Sequence, residues 1–231
     1  MVHLFLVIYV FCYTDIMKRN TIGLLFLALL PFIALMFELL LANVIETPIY
    51  KKPISEWASK QSIIHWIITC LVWLISGFLI IRFAKNKFQI DLFTETKPIS
   101  TWQILLIIFL IIVKLYVSYK SWDGFKVIKE FNNLGVTKFI FQYIYYSCEV
   151  LLVTLIMIFG QMFFESIFEN PNIPYGGILV AITWGIGHFF TKDFMTGILS
   201  ALVGFAFGSV FLLTNCNFVL TYIFIWIMFV L

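Results

Sequence analysis

A bundle of membrane-crossing helices is the fold class that this sequence predicts, and three observations predict it. Hydrophobic residues make up 62% of the chain and charged residues only 12%. The mean hydropathy of +1.04 lies far above that of soluble domains. The apolar residues fall into separate runs, several of them near the ~20 residues that a helix needs to cross a bilayer. We therefore predict an all-α, multi-pass integral membrane protein.

The charge of the chain excludes nucleic acid as a partner. The formal net charge is only +3, and the basic residues are scattered rather than clustered. The 27 Phe and 7 Trp provide large apolar surfaces that suit contact with lipid and anchoring at the membrane interface. The lipid bilayer is therefore the expected surroundings of most of the chain.

Seven apolar runs are the expected spans. They cover residues 21–44, 63–81, 102–119, 139–164, 175–190, 196–213 and 218–231. Residues 1–16 form a doubtful N-terminal segment, because Met17, Lys18 and Arg19 followed by a long apolar run are typical of the start of a first membrane helix. Residues 17–138 then hold the N-terminal helices and loops, with a short amphipathic surface helix expected within 120–138, and residues 139–231 hold the membrane core.

Two ionisable residues inside this core predict a functional site. Glu149 lies well within the fourth expected span, and His188 lies near the end of the fifth. A charged carboxylate at such a depth costs ~2.5 kcal/mol or more, so an intramembrane Glu is a functional candidate by default, and His188 is its expected partner. Trp184 lies four residues before His188, on the same helix face, where its indole can hold the imidazole.

A carboxylate and an imidazole on neighbouring helices are suited to two kinds of chemistry. They can bind a divalent metal such as zinc that activates water, or Glu149 can act as a general base while His188 stabilises an oxyanion. Zinc needs three or four ligands, so a metal site would require more donors than these two. The candidates for the missing ligands are Glu165, Glu169, Asp193, Asn215 and Asn217.

A purely structural interpretation of the polar residues stays open beside the functional one. Glu149 would then be protonated and hydrogen-bonded to Tyr145, to Tyr146 or across to another helix, and His188 would cap the end of a short helix. Outside this pair, we predict that Glu38 leans out to the lipid headgroups and that His65 lies at the membrane interface.

Two motifs in residues 139–231 resemble the CPBP family of intramembrane proteases, which includes the CAAX prenyl endopeptidase and bacterial proteins linked to bacteriocin maturation and self-immunity. The run EVLLVT from Glu149 to Thr154 is similar to the family's Glu-Glu-x-x-x-Arg motif. The run WGIGH, which ends at His188, is similar to its aromatic-x-x-x-His motif. Val150, Thr154, Ile225 and Phe229 stand where the family has Glu, Arg, His, and Asn or Asp.

The resemblance implies a membrane-embedded endopeptidase of the metalloprotease or glutamate type. Glu149 would activate water and His188 would act as oxyanion stabiliser or metal ligand, with a divalent metal such as zinc as the implied cofactor. The implied partner is a membrane-bound or prenylated protein or peptide, and the expected location is a bacterial cell membrane. A pseudoprotease that binds a membrane protein without cutting it, in immunity or scaffolding, is the main alternative, and a small transporter is a third.

Overall fold

The computed structural model describes residues 21–231, and these residues form seven helices and no strand. The helices are α1 (Thr21–Tyr50), α2 (Ser59–Phe88), α3 (Thr101–Ser121), α4 (Lys126–Phe168), α5 (Tyr175–Thr191), α6 (Phe194–Leu213) and α7 (Phe218–Val230). The predicted all-α helical bundle is confirmed. The doubtful segment 1–16 lies outside the described residues, as do residues 17–20.

Each expected span corresponds to one of these helices, but the helices differ in length. Within residues 21–231, α1, α2, α3, α4 and α6 are long and apolar enough to cross a membrane. By contrast, α5 and α7 are apolar helices of 10 to 17 residues. The chain is therefore a multi-pass membrane protein with five full-length candidate spans and two shorter apolar helices packed among them.

The helix ends are set by side-chain caps and by residues with positive φ. At the start of α6 the Asp193 carboxylate accepts hydrogen bonds from the Thr196 hydroxyl at 2.5 Å and from its backbone N–H at 3.0 Å. These two bonds keep the pKa of the Asp193 carboxyl below its usual value. At the start of α7 the Asn217 side chain accepts from the Leu220 N–H at 2.9 Å. Helix α1 ends at Tyr50, because the next residue, Lys51, has a φ of 51° and leaves the helical conformation.

Helix α4 is the centre of the bundle. It packs against α1, α2, α5 and α7. In its most apolar stretch 72% of the residues are buried, against 33% or less in the other four long helices. Val150 and Phe159 within α4 are fully buried. A residue on this half of α4 therefore faces protein rather than lipid, and Glu149 belongs to this half.

Near its start, α4 changes direction at Gly135. The φ of 70° and ψ of 167° at this residue are not helical, so residues 126–134 form a separate helical piece. On this piece Ile128 and Phe131 are exposed, whereas Glu130 is buried. A short helix is therefore present within the predicted range 120–138, and it is joined to the fourth span through the kink.

Helices α5 and α6 approach each other backbone to backbone. A Cβ atom added to Gly208 would lie 2.5 Å from the backbone N of Gly177, and one added to Gly204 would lie 3.0 Å from the backbone N of Ala181. Small residues at four-residue spacing allow this kind of contact between membrane helices. The contact brings the α5 helix, which carries Trp184 and His188, firmly against the bundle.

The polar side chains of the bundle collect at its two ends. At one end Tyr145 donates a hydrogen bond to Glu38, and Trp184 donates one to Glu149. We call this the site end. At the opposite end Gln103 donates to Asn215 at 2.8 Å. Because water is absent from the hydrocarbon between these ends, the middle of the bundle is held together mainly by apolar packing.

The close contact between α5 and α6 predicts a difference between two glycine substitutions. Gly208→Ala places a methyl group against backbone atoms, and we expect it to cost about 1–3 kcal/mol of the free energy of unfolding. Gly187→Ala is the matched control, because nothing lies within 4 Å of its added Cβ. We expect this control to be neutral or to stabilise by up to about 1 kcal/mol. Equilibrium unfolding in mixed micelles measures both, and equal costs would contradict the contact.

Candidate functional site

Trp184 connects the two residues that the sequence singles out. Its indole Nε1–H donates a hydrogen bond to Glu149 Oε1 at 2.8 Å, across the contact between α5 and α4. Its backbone carbonyl accepts a hydrogen bond from His188 Nδ1 at 2.8 Å. The indole and imidazole rings also pack edge to face, with centroids 4.6 Å apart. The structure therefore brings Glu149 and His188 to one place, with Trp184 touching both.

The hydrogen bond at Nδ1 fixes what His188 can do. A backbone carbonyl only accepts, so Nδ1 must carry the proton of the neutral ring. The other ring nitrogen, Nε2, is then an acceptor that can take a proton. His188 can donate at Nε2, as an oxyanion stabiliser must, only in its protonated form. Both His188 and Glu149 are partly exposed, so neither is sealed inside the apolar core.

Two π-helical turns lie at the site end. One contains Glu46 and the other contains Trp184. One covers Leu41–Glu46 near the end of α1, and the other covers Ala181–Gly185 within α5. The second turn contains Trp184. In the part of the chain that the structure describes, these are the π-helical turns that occur. Such turns are rare and are frequent at functional sites, since they shift the side chains that follow by a fraction of a turn.

A second polar cluster at the site end was not predicted. His65 of α2 is buried and lies between two carboxylates of α1. Its Nδ1 lies 2.5 Å from Glu46 Oε2, and its Nε2 lies 3.6 Å from Glu38 Oε1. The Tyr145 hydroxyl donates to the same Glu38 oxygen at 2.6 Å. We call these four residues the Glu38–His65 cluster.

Glu38 does not lean out to solvent as predicted, because its carboxylate accepts a hydrogen bond from Tyr145 inside the bundle. His65, predicted at the membrane interface, is buried against Glu46, a partner that was not predicted. Helix α1 continues past the expected end at residue 44 through a π-helical turn, and Glu46 on this turn meets His65 of α2. The sequence held one signal for this, since Glu38 and Glu46 are eight residues apart and share a helix face.

The Glu38–His65 cluster and the Glu149 site are neighbours. Tyr145, which holds Glu38, lies one turn before Glu149 on α4. Glu38 is close enough to interact electrostatically with both Glu149 and His188. Lys192, just beyond α5, also lies near Glu149 and His188. The site end thus holds one continuous polar region built from α1, α2, α4 and α5.

The donors present do not fit zinc. Among residues 21–231 there is no group of three or more His, Cys, Asp or Glu side chains placed to hold a metal ion. Glu149 and His188 provide two donors, and Trp184 hydrogen-bonds to both. In the Glu38–His65 cluster the two carboxylates lie on opposite ring nitrogens and so do not converge on one point. Among residues 21–231, the predicted metal ligands Glu149 and His188 are therefore not joined by a third ligand.

The other residues proposed as ligands have structural partners instead. Asp193 caps α6, and Asn217 caps α7. Asn215 binds Gln103 and two backbone carbonyls at the end opposite the site. Glu165 accepts a hydrogen bond from Gln161 at 2.6 Å, and it lies 16 residues beyond Glu149 on α4. Glu169 follows the end of α4. None of them completes a metal site with Glu149.

The positions where the chain departs from the CPBP motifs are buried or aromatic. Val150 and Ile225 are fully buried in the apolar core. The Thr154 hydroxyl donates to the Val150 carbonyl one turn earlier at 2.7 Å. Phe229 packs its ring 5.6 Å from that of Trp184. These residues pack the helices around the site and supply no additional acid, base or cation to it.

A scan against protein-family models, a search of curated proteins and a search of solved structures found no match to this chain. The resemblance to the CPBP family therefore depends on the residues around Glu149 and His188. What it implies about activity is a matter for proposal and experiment.

The buried ion pair predicts a large difference between two glutamate substitutions on the same side of the bundle. Removing one partner of a buried pair leaves the other without compensation, so we expect Glu46→Ala to cost about 3 kcal/mol of the free energy of unfolding. Glu56→Ala is the matched control, since Glu56 is exposed. Its expected effect is within about 0.5 kcal/mol.

A third variant separates the ion pair from other effects of Glu46. In a His65→Leu background the histidine is no longer present, so Glu46→Ala should cost much less than in the wild type. Equilibrium unfolding of the wild type, Glu46→Ala, His65→Leu and the double variant in mixed micelles gives the coupling energy between Glu46 and His65. A cost of Glu46→Ala that is unchanged by the loss of His65 would rule out the pairing.

Proposed function

We propose that this protein is a membrane-embedded endopeptidase of the CPBP type, in a bacterial cell membrane, that cuts peptide bonds close to the membrane surface. Glu149 is the water-activating base and His188 the stabiliser of the oxyanion. The observation that carries the proposal is the meeting of Glu149 and His188 at Trp184, in a partly exposed region of an otherwise apolar bundle. The proposed substrate is a membrane-bound or prenylated protein or peptide.

The hydrogen bonds around Glu149 leave it suited to the role of base. Trp184 occupies Oε1, and within the described residues Oε2 accepts no hydrogen bond. A water molecule on Oε2 would give up a proton as its oxygen attacks the peptide carbonyl carbon. The proton held by Glu149 would then pass to the leaving nitrogen, so the reaction consumes one water and no net proton.

His188 enters this reaction in its protonated form. With Nδ1 donating to the Trp184 carbonyl, a proton on Nε2 gives the ring a second N–H to donate to the negatively charged oxygen of the tetrahedral intermediate. Two charged side chains lie near His188, and they act on the imidazolium in opposite directions: the Glu38 carboxylate attracts it and the Lys192 ammonium repels it. The roles of the two residues are thus complementary without a metal ion.

A second candidate function is supported by a different observation. Val150, Thr154, Ile225 and Phe229 replace the family's charged and polar motif residues, and the first three are fully buried in the core. A chain that has lost these groups while it keeps the polar region can bind a membrane peptide without cutting it. This pseudoprotease is the alternative that the activity assay must distinguish from the enzyme.

The proposal predicts cleavage by the purified protein. Reconstituted wild-type protein is expected to cut members of a panel of membrane-anchored and farnesylated fluorogenic peptides. Glu149→Gln removes the base, and we expect a loss of about 10²–10⁴-fold in kcat. His188→Ala removes one oxyanion donor, with an expected loss of about 10²–10³-fold. Mass spectrometry of the products identifies the bond that is cut.

Glu56→Gln serves as the control in this assay, because it changes an exposed carboxylate on the same side of the bundle. Its activity should equal that of the wild type. Cleavage that survives Glu149→Gln would refute the assignment of the base. A folded wild type that binds peptides of the panel but cuts none would instead favour the pseudoprotease.

A further inference from the structure

The helical piece formed by residues 126–134 is bounded by two joints at which the backbone is not helical. On its N-terminal side Asp123 and Gly124 have φ values of 50° and 139°. On its C-terminal side Gly135 has a φ of 70°, and nothing lies within 4 Å of the place where a Cβ atom would be. Packing therefore does not hold the second joint, and only glycine adopts its backbone conformation without strain. We call residues 126–134 the lid segment.

Glu130 faces inward on the lid segment, whereas both apolar and polar side chains face outward. Ile128 and Phe131 are 56% and 44% exposed, and Lys129, Asn132 and Asn133 are exposed beside them, whereas Glu130 is only 5% exposed. An outer face that combines apolar and polar side chains suits the boundary between lipid and water.

A single carboxylate fastens the lid segment to the rest of α4. Glu130 accepts hydrogen bonds from Gln142 Nε2 at 2.9 Å, from the Tyr143 hydroxyl at 3.0 Å and from the Tyr146 hydroxyl at 2.8 Å. These partners are 12 to 16 residues further along the chain, so the segment folds back over the helix that follows it. Hydrogen bonds to a charged group are stronger than those between neutral groups.

A single ammonium group fastens the lid segment to α7. Lys126 Nζ donates to the Phe229 carbonyl at 3.0 Å and lies 4.9 Å from the centre of the Tyr146 ring. The Phe229 ring in turn packs against that of Trp184, and Lys126 and Tyr146 both lie near Glu149. The groups that hold the segment in place are therefore the groups that border the Glu149 site.

We propose that the lid segment is a hinged cover over the side of the Glu149 site that Tyr146 and Phe229 border, and that it opens at Gly135 to widen the access of a ligand from the bilayer to the partly exposed Glu149. The contacts of Glu130 and Lys126 hold the closed position, and the joints at residues 123–124 and 135 allow the open one. The ligand class, a membrane-bound peptide, rests on the proposed function. The hinged motion depends only on the contacts described here.

Labelling by dicyclohexylcarbodiimide tests the lid without reference to catalysis. This apolar reagent enters the bilayer and adds to protonated carboxyl groups, and mass spectrometry counts the adducts at each glutamate. Glu165, buried near the other end of α4, is the internal reference. The quantity to compare is the rate of labelling at Glu149 divided by the rate at Glu165.

Two variants with different chemistry should open the lid. Glu130→Ala removes the three hydrogen bonds, and Gly135→Ala favours a straight helix that carries Glu130 away from its partners. We expect the labelling ratio to rise about tenfold in each. Because Gly135→Ala changes no charge, its effect cannot come from an altered field at Glu149. Glu56→Ala, which changes an exposed carboxylate, is the control and should leave the ratio unchanged.

A ratio that stays at the wild-type value in both variants would overturn the lid, and so would equal increases at Glu149 and Glu165, which indicate general loosening of the fold. A raised ratio in a protein that cuts no peptide would support the lid while refuting the endopeptidase. The two proposals therefore fail independently.

Discussion

The hydrogen bond from the Trp184 indole to Glu149 is the interaction on which the site depends. A carboxylate within an apolar bundle needs a polar partner, because it has lost most of its hydration there. The same tryptophan receives the Nδ1–H of His188 on its backbone carbonyl. One residue of α5 thus hydrogen-bonds the Glu149 carboxylate on α4 and orients the His188 imidazole on its own helix. The glycine contact between α5 and α6 keeps that helix in place.

Burial in a membrane explains why the remaining polar groups at the site end are found in hydrogen-bonded clusters. His65 lies between two carboxylates, and Glu130 collects three donors from the turns that follow it. Each arrangement compensates a charged group that lipid would exclude. Such clusters cost more free energy to bury than apolar side chains of the same volume. Their presence at the site end therefore supports a functional role for that end.

The sequence predicted the helices well because hydropathy and length alone identify segments that suit a bilayer. It also predicted the packing of Trp184 against His188, through their four-residue spacing. It named His188 as the partner of Glu149, and it did not predict that the Trp184 indole donates the hydrogen bond to Glu149. It did not predict the pairing of Glu46 with His65, which lie 19 residues apart. That pairing joins two helices, and its one signal in the sequence is the eight-residue spacing of Glu38 and Glu46, which does not identify His65 as the partner. Likewise, the fold-back of Glu130 depends on the conformation of Gly135, which composition alone does not reveal.

The most direct test of this account is a double-mutant cycle between α4 and α5. Trp184→Phe removes the indole N–H, Glu149→Gln removes the charge, and the double variant removes both. Equilibrium unfolding of the four proteins in mixed micelles gives the coupling energy. The account predicts a coupling of about 1–3 kcal/mol between the two residues. A coupling close to zero would mean that Trp184 does not hold Glu149, and the site described here would lose its central contact.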